Sequence, residues 1–262
     1  MEYKGTKTEQ AEILLRTVKM GGNIEDKKPE IDKQFLTLMV GNVDITKTAL
    51  KNYLTENNIK ENEVGGKIDK PVSFITLKGN RVYAKYFVIH DVSTPSIPNE
   101  LPNNINDSSF MYKKTYWNNP NISAWSSVDC HSLLTRTGQV RMLHDFSDGW
   151  RATKFESNKF GLGEVSRGLF LHIELGQPRY FKPPTSNEEN APYAPKPGFT
   201  DKQYERLALL YICASFRKGE WLIPAFHGCI DEGIKGGHDD PQNFELNKFT
   251  TAILNLVKNI KV

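Results

Sequence analysis

Cysteine is scarce in this 262-residue chain, and the three present, Cys130, Cys213 and Cys229, form no CxxC pair. An odd, scattered set argues against a disulfide framework and against a cysteine zinc site, and leaves free thiols in a reducing compartment as the default. Cys213, inside LALLYICASF, is expected to be a small core residue. Long apolar runs are missing too. The longest, Leu207 to Ala214, stops at eight residues, where a membrane helix needs about 20. No excess of one charge exists either: 34 Lys+Arg stand against 31 Asp+Glu, a net +3 spread along the chain, which implies neither nucleic acid nor an anionic membrane as partner. No GxGxxG follows a strand and no Walker loop occurs, so a dinucleotide fold and P-loop chemistry are disfavoured. Repeats and low-complexity tracts are absent. The opening residues, MEYKGTKTEQAEILLRTVKMGG, carry charges throughout and lack the apolar core of about 7–15 residues of a secretory signal, so export by that route is not expected.

What is present reads as a mixed α/β protein. Residues 1–70 are polar and helical in pattern, an accessory region ahead of a main domain at 71–262. Gln10 to Lys19 has helical apolar spacing and runs to a Gly21-Gly22 stop. Lys33 to Leu54 is a less regular helical stretch in which Thr46 is a candidate N-cap and Asn57-Asn58 a stop. From Pro71 the pattern turns to β. Val72 to Leu77 and Arg81 to His90 flank Lys78-Gly79-Asn80 as a hairpin or two adjacent strands, and Cys130 to Thr135 with Val140 to Leu143 make a second hairpin. Leu101 to Pro120, rich in Asn, Pro and Ser, is a long surface loop. Gly168 to Leu175 is another apolar strand, and Pro178 to Gly198 holds six prolines, too many for regular structure. Thr200 or Asp201 caps a buried helix through YERLALLYICASF, and a last helix spans Asn243 to Lys258. A central mixed β-sheet flanked by helices, with an N-terminal helical extension, is the expected architecture.

Among the six histidines, His90 closes the strand YAKYFVIH and His227 follows the strand LIPAF. Strand ends hold side chains rigidly with their tips free. Asp240 sits in GGHDDPQNF, between glycines and a proline that fix an irregular backbone. Two imidazoles and a carboxylate are a donor set that suits Zn²⁺ and leaves a fourth position open for water. Spacing alone does not separate this reading from ordinary hydrogen-bonded histidines, since no HExxH places two ligands on one helical face.

The order of motifs adds more. FVIHDVS, DCHSLLTRTGQVRMLHDFSDGWRA, GLFLHIELG, IPAFHGCID and HDDPQNFEL follow one another in a series that resembles the zinc-dependent N-acetylmuramoyl-L-alanine amidases of the type 2 family, which share their fold with phage lysozyme-like amidases and animal peptidoglycan recognition proteins. The resemblance covers roughly residues 80 to 255. Each motif singly is weak, and the ordered set is specific. It implies that His90, His227 and Asp240 hold Zn²⁺, that Glu174 is the general base, and that His238 stands where the family commonly has an oxyanion-stabilising lysine. His131 and His172 are then core histidines or supports that orient a ligand. His144 faces substrate or solvent. Trp150 and Arg151 match a stretch near the family's groove, with Arg151 in place of a histidine, and Trp117 and Trp125 are candidates for stacking on sugar rings.

The implied activity is hydrolysis of the amide between N-acetylmuramic acid and L-alanine in peptidoglycan or a muropeptide. The rival readings are a binding module of the same fold and an unrelated α/β protein with coincidental histidines. Since the polymer lies outside the cytoplasmic membrane, three settings fit: muropeptide recycling, a lysin released by lysis, or an antibacterial effector exported by dedicated secretion machinery into a target cell. The long N-terminal region favours the last two. An effector would be accompanied by an immunity protein.

Overall fold

The computed structural model describes residues 3–19, 23–93, 96–98, 130–157, 167–181 and 192–261. Trp117, Trp125 and the loop read at Leu101 to Pro120 lie outside them, as does the middle of the proline-rich stretch. Among the described residues, no helix is long and apolar enough to cross a membrane.

The centre is a five-stranded mixed sheet whose strands lie side by side in the order 223–226, 86–91, 170–175, 132–134 and 140–142. It is built from β3 (Tyr86–Asp91), β5 (Ser132–Leu134), β6 (Val140–Met142), β7 (Phe170–Leu175) and β10 (Ile223–Phe226). The four strands β10, β3, β7 and β5 run parallel, and β6 closes one edge as the antiparallel arm of the hairpin expected from the sequence. β3 is buried along its whole length, as strands covered on both faces by helices and loops are. The first hairpin, β1 (Phe74–Leu77) with β2 (Asn80–Tyr83), forms a separate two-stranded ribbon. Lys78 and Gly79 at its turn both have positive φ, at 50° and 82°, as a tight hairpin turn requires. Residues 81 to 90 are therefore two strands in two sheets, not one arm of a hairpin. β4 (Ser96–Pro98), β8 (Arg179–Phe181) and β9 (Pro192–Tyr193) make a small third sheet.

Helix α4 (Asp201–Lys218) begins at Thr200, whose hydroxyl accepts from the Gln203 amide in a capping box, and ends at Gly219 in the left-handed conformation. Both signals are the ones its sequence carries. It packs along the final helix, α6 (Leu246–Lys261), and Tyr211 on α4 meets Phe87 of β3 edge-on at 5.4 Å. The short α5 (His227–Ile230) follows β10 directly.

Residues 7–56 give α1 (Lys7–Leu14), α2 (Lys33–Val40) and α3 (Lys47–Glu56). The first is shorter than its periodicity predicts. A Thr6–Glu9 capping box starts it, but after Leu15 the chain turns back on itself, with Val18 bridging Ile24, so the apolar Val18 is buried by strand-like pairing instead of helix. Gly41 interrupts the Lys33 to Leu54 stretch, and Thr46 caps α3 as expected. The three helices share one hydrophobic cluster with the sheet. α1 packs beside β10 and its Gln10 Oε1 accepts from the Tyr86 hydroxyl at 2.8 Å, whereas α2 and α3 pack on α6. α1 thus covers β10, an edge strand that would otherwise offer unpaired backbone to solvent.

Candidate metal centre

Parallel pairing of β3 with β7 sets His90 directly opposite Glu174, and pairing with β10 puts Phe226 opposite Ile89. His227, one residue beyond Phe226, therefore emerges at the same sheet edge as His90. The carboxyl ends of parallel strands are where α/β proteins place their sites. Asp240 reaches this edge from the loop ahead of α6, tied down by two bonds: the Asp91 amide donates to Asp240 Oδ2 at 3.1 Å, and the Gly228 amide donates to the Asp240 carbonyl at 2.8 Å.

His90, His227 and Asp240 each offer one donor atom within 4.8 Å of the others, and all three residues are buried. The two Nδ1 atoms face each other at 2.8 Å; Asp240 Oδ1 lies 3.1 Å from His227 Nδ1 and Oδ2 lies 3.7 Å from His90 Nδ1. Zinc–nitrogen bonds of about 2.0–2.1 Å at a tetrahedral angle would part the nitrogens by roughly half an ångström more, a small adjustment for two rings. Glu174 Oε1 lies 3.7 Å from His90 Nδ1, and its Oε2 is buried with no hydrogen-bond partner among the described residues. His238 stands at the rim, with 59% of its side chain exposed, Nδ1 3.6 Å from Asp240 Oδ1 and its ring stacked on His227 at 4.6 Å. All five residues singled out in the sequence are thus gathered at one place.

The electrostatics split the group. Burial pushes the Glu174 carboxyl well above its usual range, and the neighbouring Asp240 charge pushes it further. Burial opposes a charge on Asp240 also, but His227 outweighs it and holds Asp240 well below the usual carboxylate range. Burial lowers His90, helped by His227. For His227 burial is overcome by Asp240 and Asp231 on its two sides, which raise its pKa to about 10. Two carboxylates with opposite tendencies in one pocket divide the work of anion and proton carrier. A buried N₂O set with an unpartnered carboxylate oxygen beside it fits a small divalent cation with an open position, and zinc in particular.

Two neighbours went unnoticed in the sequence. Asp231, fully buried, lies 3.0 Å from His227 Nε2. Its i+4 spacing from His227 was the available signal. Glu156, fully buried in an irregular segment, lies 3.2 Å from His172 Nε2, and His172 Nδ1 is 3.1 Å from His90 Nε2; nothing in the pattern around Glu156 marks it. Of the remaining histidines, His131 accepts from the His172 amide and donates to the Asp148 carbonyl, a core role, and His144 stacks on Trp150 at 3.7 Å. All three cysteines are buried.

No known protein family and no curated protein matches the chain. Among solved structures, the crystal structure of a selenomethionine derivative of AmpD is similar at a TM-score of 0.40 and 17% identity, over 72% of this chain and 97% of that one. At that distance, chemistry is assigned from the site's own geometry.

Proposed function

We propose that this chain is a zinc-dependent hydrolase that cleaves the amide between N-acetylmuramic acid and the L-alanine of the stem peptide. The observation that carries the reading is the convergence of His90, His227 and Asp240 donors within 4.8 Å beside Glu174. The ordered motifs around these residues support the choice of substrate. His90, His227 and Asp240 would hold the ion. Zinc bound there supplies a Lewis acid and a water of pKa near 7. Glu174, held at its strand end in a pocket that raises its affinity for a proton, would act as a carboxylate that accepts the proton of the attacking water and, once protonated, returns it to the leaving amine. His238, exposed at the rim, donates an N–H to the oxyanion of the tetrahedral intermediate. A binding module of the same fold has no need of a complete donor set and a buried proton carrier, so the enzyme reading is preferred. We place its action on the cell wall, as an exported effector or a lysin, with an immunity protein as the partner of an effector.

Mass spectrometry of purified sacculi after digestion tests the reading. Release of stem peptides with a free L-alanine amino terminus is the expected product. Glu174→Ala should retain zinc and lose nearly all turnover. Intact amide bonds after incubation with zinc-loaded protein, or an active Glu174→Ala variant, would overturn the activity or the base respectively.

A further inference from the structure

The two imidazoles that converge on Asp240 are each backed, on the far nitrogen, by a buried carboxylate, and the two carboxylates are braced by one short turn. On the His227 side the link is direct: Asp231 Oδ2 lies 3.0 Å from Nε2. On the His90 side it passes through a second imidazole: His90 Nε2 to His172 Nδ1 at 3.1 Å, then His172 Nε2 to Glu156 Oε2 at 3.2 Å. Hydrogen placement along this chain follows from one requirement. If His90 presents the lone pair of Nδ1 to a cation, its proton sits on Nε2 and is donated to His172 Nδ1. The His172 proton is then on Nε2, which lies 3.2 Å from Glu156 Oε2 in an electrostatic contact that lacks the alignment of a hydrogen bond. The bonds at His90 Nε2 and His227 Nε2 leave Nδ1 of both imidazoles as the free donor, and the Glu156 carboxylate beside His172 Nε2 favours a proton there.

The brace is the segment Thr153 to Glu156. Asp231 Oδ2 and Oδ1 accept from the Lys154 and Phe155 amides at 3.1 and 2.9 Å. One and two residues further on is Glu156, whose Oε2 also accepts from the Thr153 hydroxyl at 2.7 Å and the Thr153 amide at 3.2 Å. One turn therefore holds the support of His227 and the support of His90 at a fixed separation. His172, Glu156 and Asp231 are all buried, so water does not replace a deleted partner at low cost.

From this we infer that Glu156 and Asp231 are positioning residues for the cation site, acting through His172–His90 and through His227, and that the Thr153–Glu156 turn couples the two arms. The inference rests on the metal reading given above but not on the choice of substrate. Its test is zinc affinity by chelator competition, with the absorption spectrum of the cobalt-loaded protein as a report on donor geometry and urea unfolding of the zinc-stripped protein as a check on folding. Glu156→Ala and Asp231→Ala are each expected to weaken zinc by about 10- to 100-fold and to shift the cobalt bands. The double variant should lose less than the product of the two single losses, because both deletions release the same turn. Glu156→Gln should restore most of the affinity, since the four contacts to Thr153, Ala152 and His172 fall on one oxygen that an amide carbonyl can replace. Folded Ala variants that bind zinc within about twofold of wild type, an uncorrected Glu156→Gln, or unchanged cobalt bands would overturn the positioning role, and fully multiplicative losses would overturn the coupling. Wild-type protein that binds zinc but leaves sacculi intact would sink the amidase reading and leave this inference standing; wild-type protein that binds neither metal would sink both.

Discussion

The two faces of the central sheet at β3 and β7 are both largely buried, one mainly apolar and the other rich in polar groups. On β3 and β7, side chains alternate between them. Phe87, Ile89, Leu171 and Ile173 fall on the face that meets Tyr211 of α4, whereas His90, His172 and Glu174 fall on the other, continuing a ring stack from Tyr86 and Phe170. His90 and His172 are no more exposed than their apolar neighbours. Burial by itself therefore does not mark the functional face. What marks it is that expensive buried polar groups are linked to one another, Glu156 to His172 to His90 to His227 to Asp231, instead of being avoided. One face stabilises the fold and the other holds the candidate site that the fold must support.

The sharpest way to separate the faces is to break the polar one first. His90→Ala, or exhaustive chelation, should abolish turnover on sacculi down to background, while the unfolding midpoint in urea moves far less than the activity does. A variant that keeps its turnover would merge the two faces into one structural core.

Acid should come next in size, and it acts on the same face. Burial, helped by His172, lowers the His131 pKa from its model-peptide value of 6.5 to about 3. The unfolded chain therefore binds more protons than the folded one between these values. The stability contributed by neutral His131 is complete above pH 6.5 and is lost as pH falls towards 3, up to roughly 4–5 kcal/mol. Burial lowers His90 in the same direction. Thermal melting of zinc-stripped protein across this range checks the sign; a melting temperature that rises on acidification contradicts it.

Phe87→Ala strikes the apolar face. Loss of a fully buried aromatic that packs on Tyr211 should cost about 3–5 kcal/mol in urea unfolding, with zinc stoichiometry unchanged in the folded fraction. Loss of zinc at full stability would reverse the assignment of the faces. The smallest effect is expected at the rim: His238→Ala should lower kcat by about 10²- to 10³-fold and leave both zinc content and stability near wild type, because its side chain is largely in solvent. An unchanged kcat would remove it from the catalytic group.

How far the sequence led follows the same division. The apolar strands, the capped helix at Thr200 and the β5–β6 hairpin announce themselves through periodicity and turn residues. His90, His227 and Glu174 were legible because each closes an apolar run, and Asp240 because its glycine and proline neighbours mark an irregular backbone. Glu156 and Asp231 were not. Their partners lie 16 and 4 residues away in the chain, and Glu156 in particular sits in an unpatterned segment that only tertiary folding brings beneath His172. The end of α1 was misread for a related reason: Leu15 and Val18 keep helical spacing, but reversal of the chain between Val18 and Ile24 buries Val18 another way. Tertiary context overrode local periodicity there.

The proposed function depends on three donors sharing one cation. Zinc content after loading and desalting addresses this directly: wild type and Glu174→Ala should each retain one zinc per chain, and Asp240→Ala should retain none. Equal zinc in wild type and Asp240→Ala, or none in either, would contradict the account.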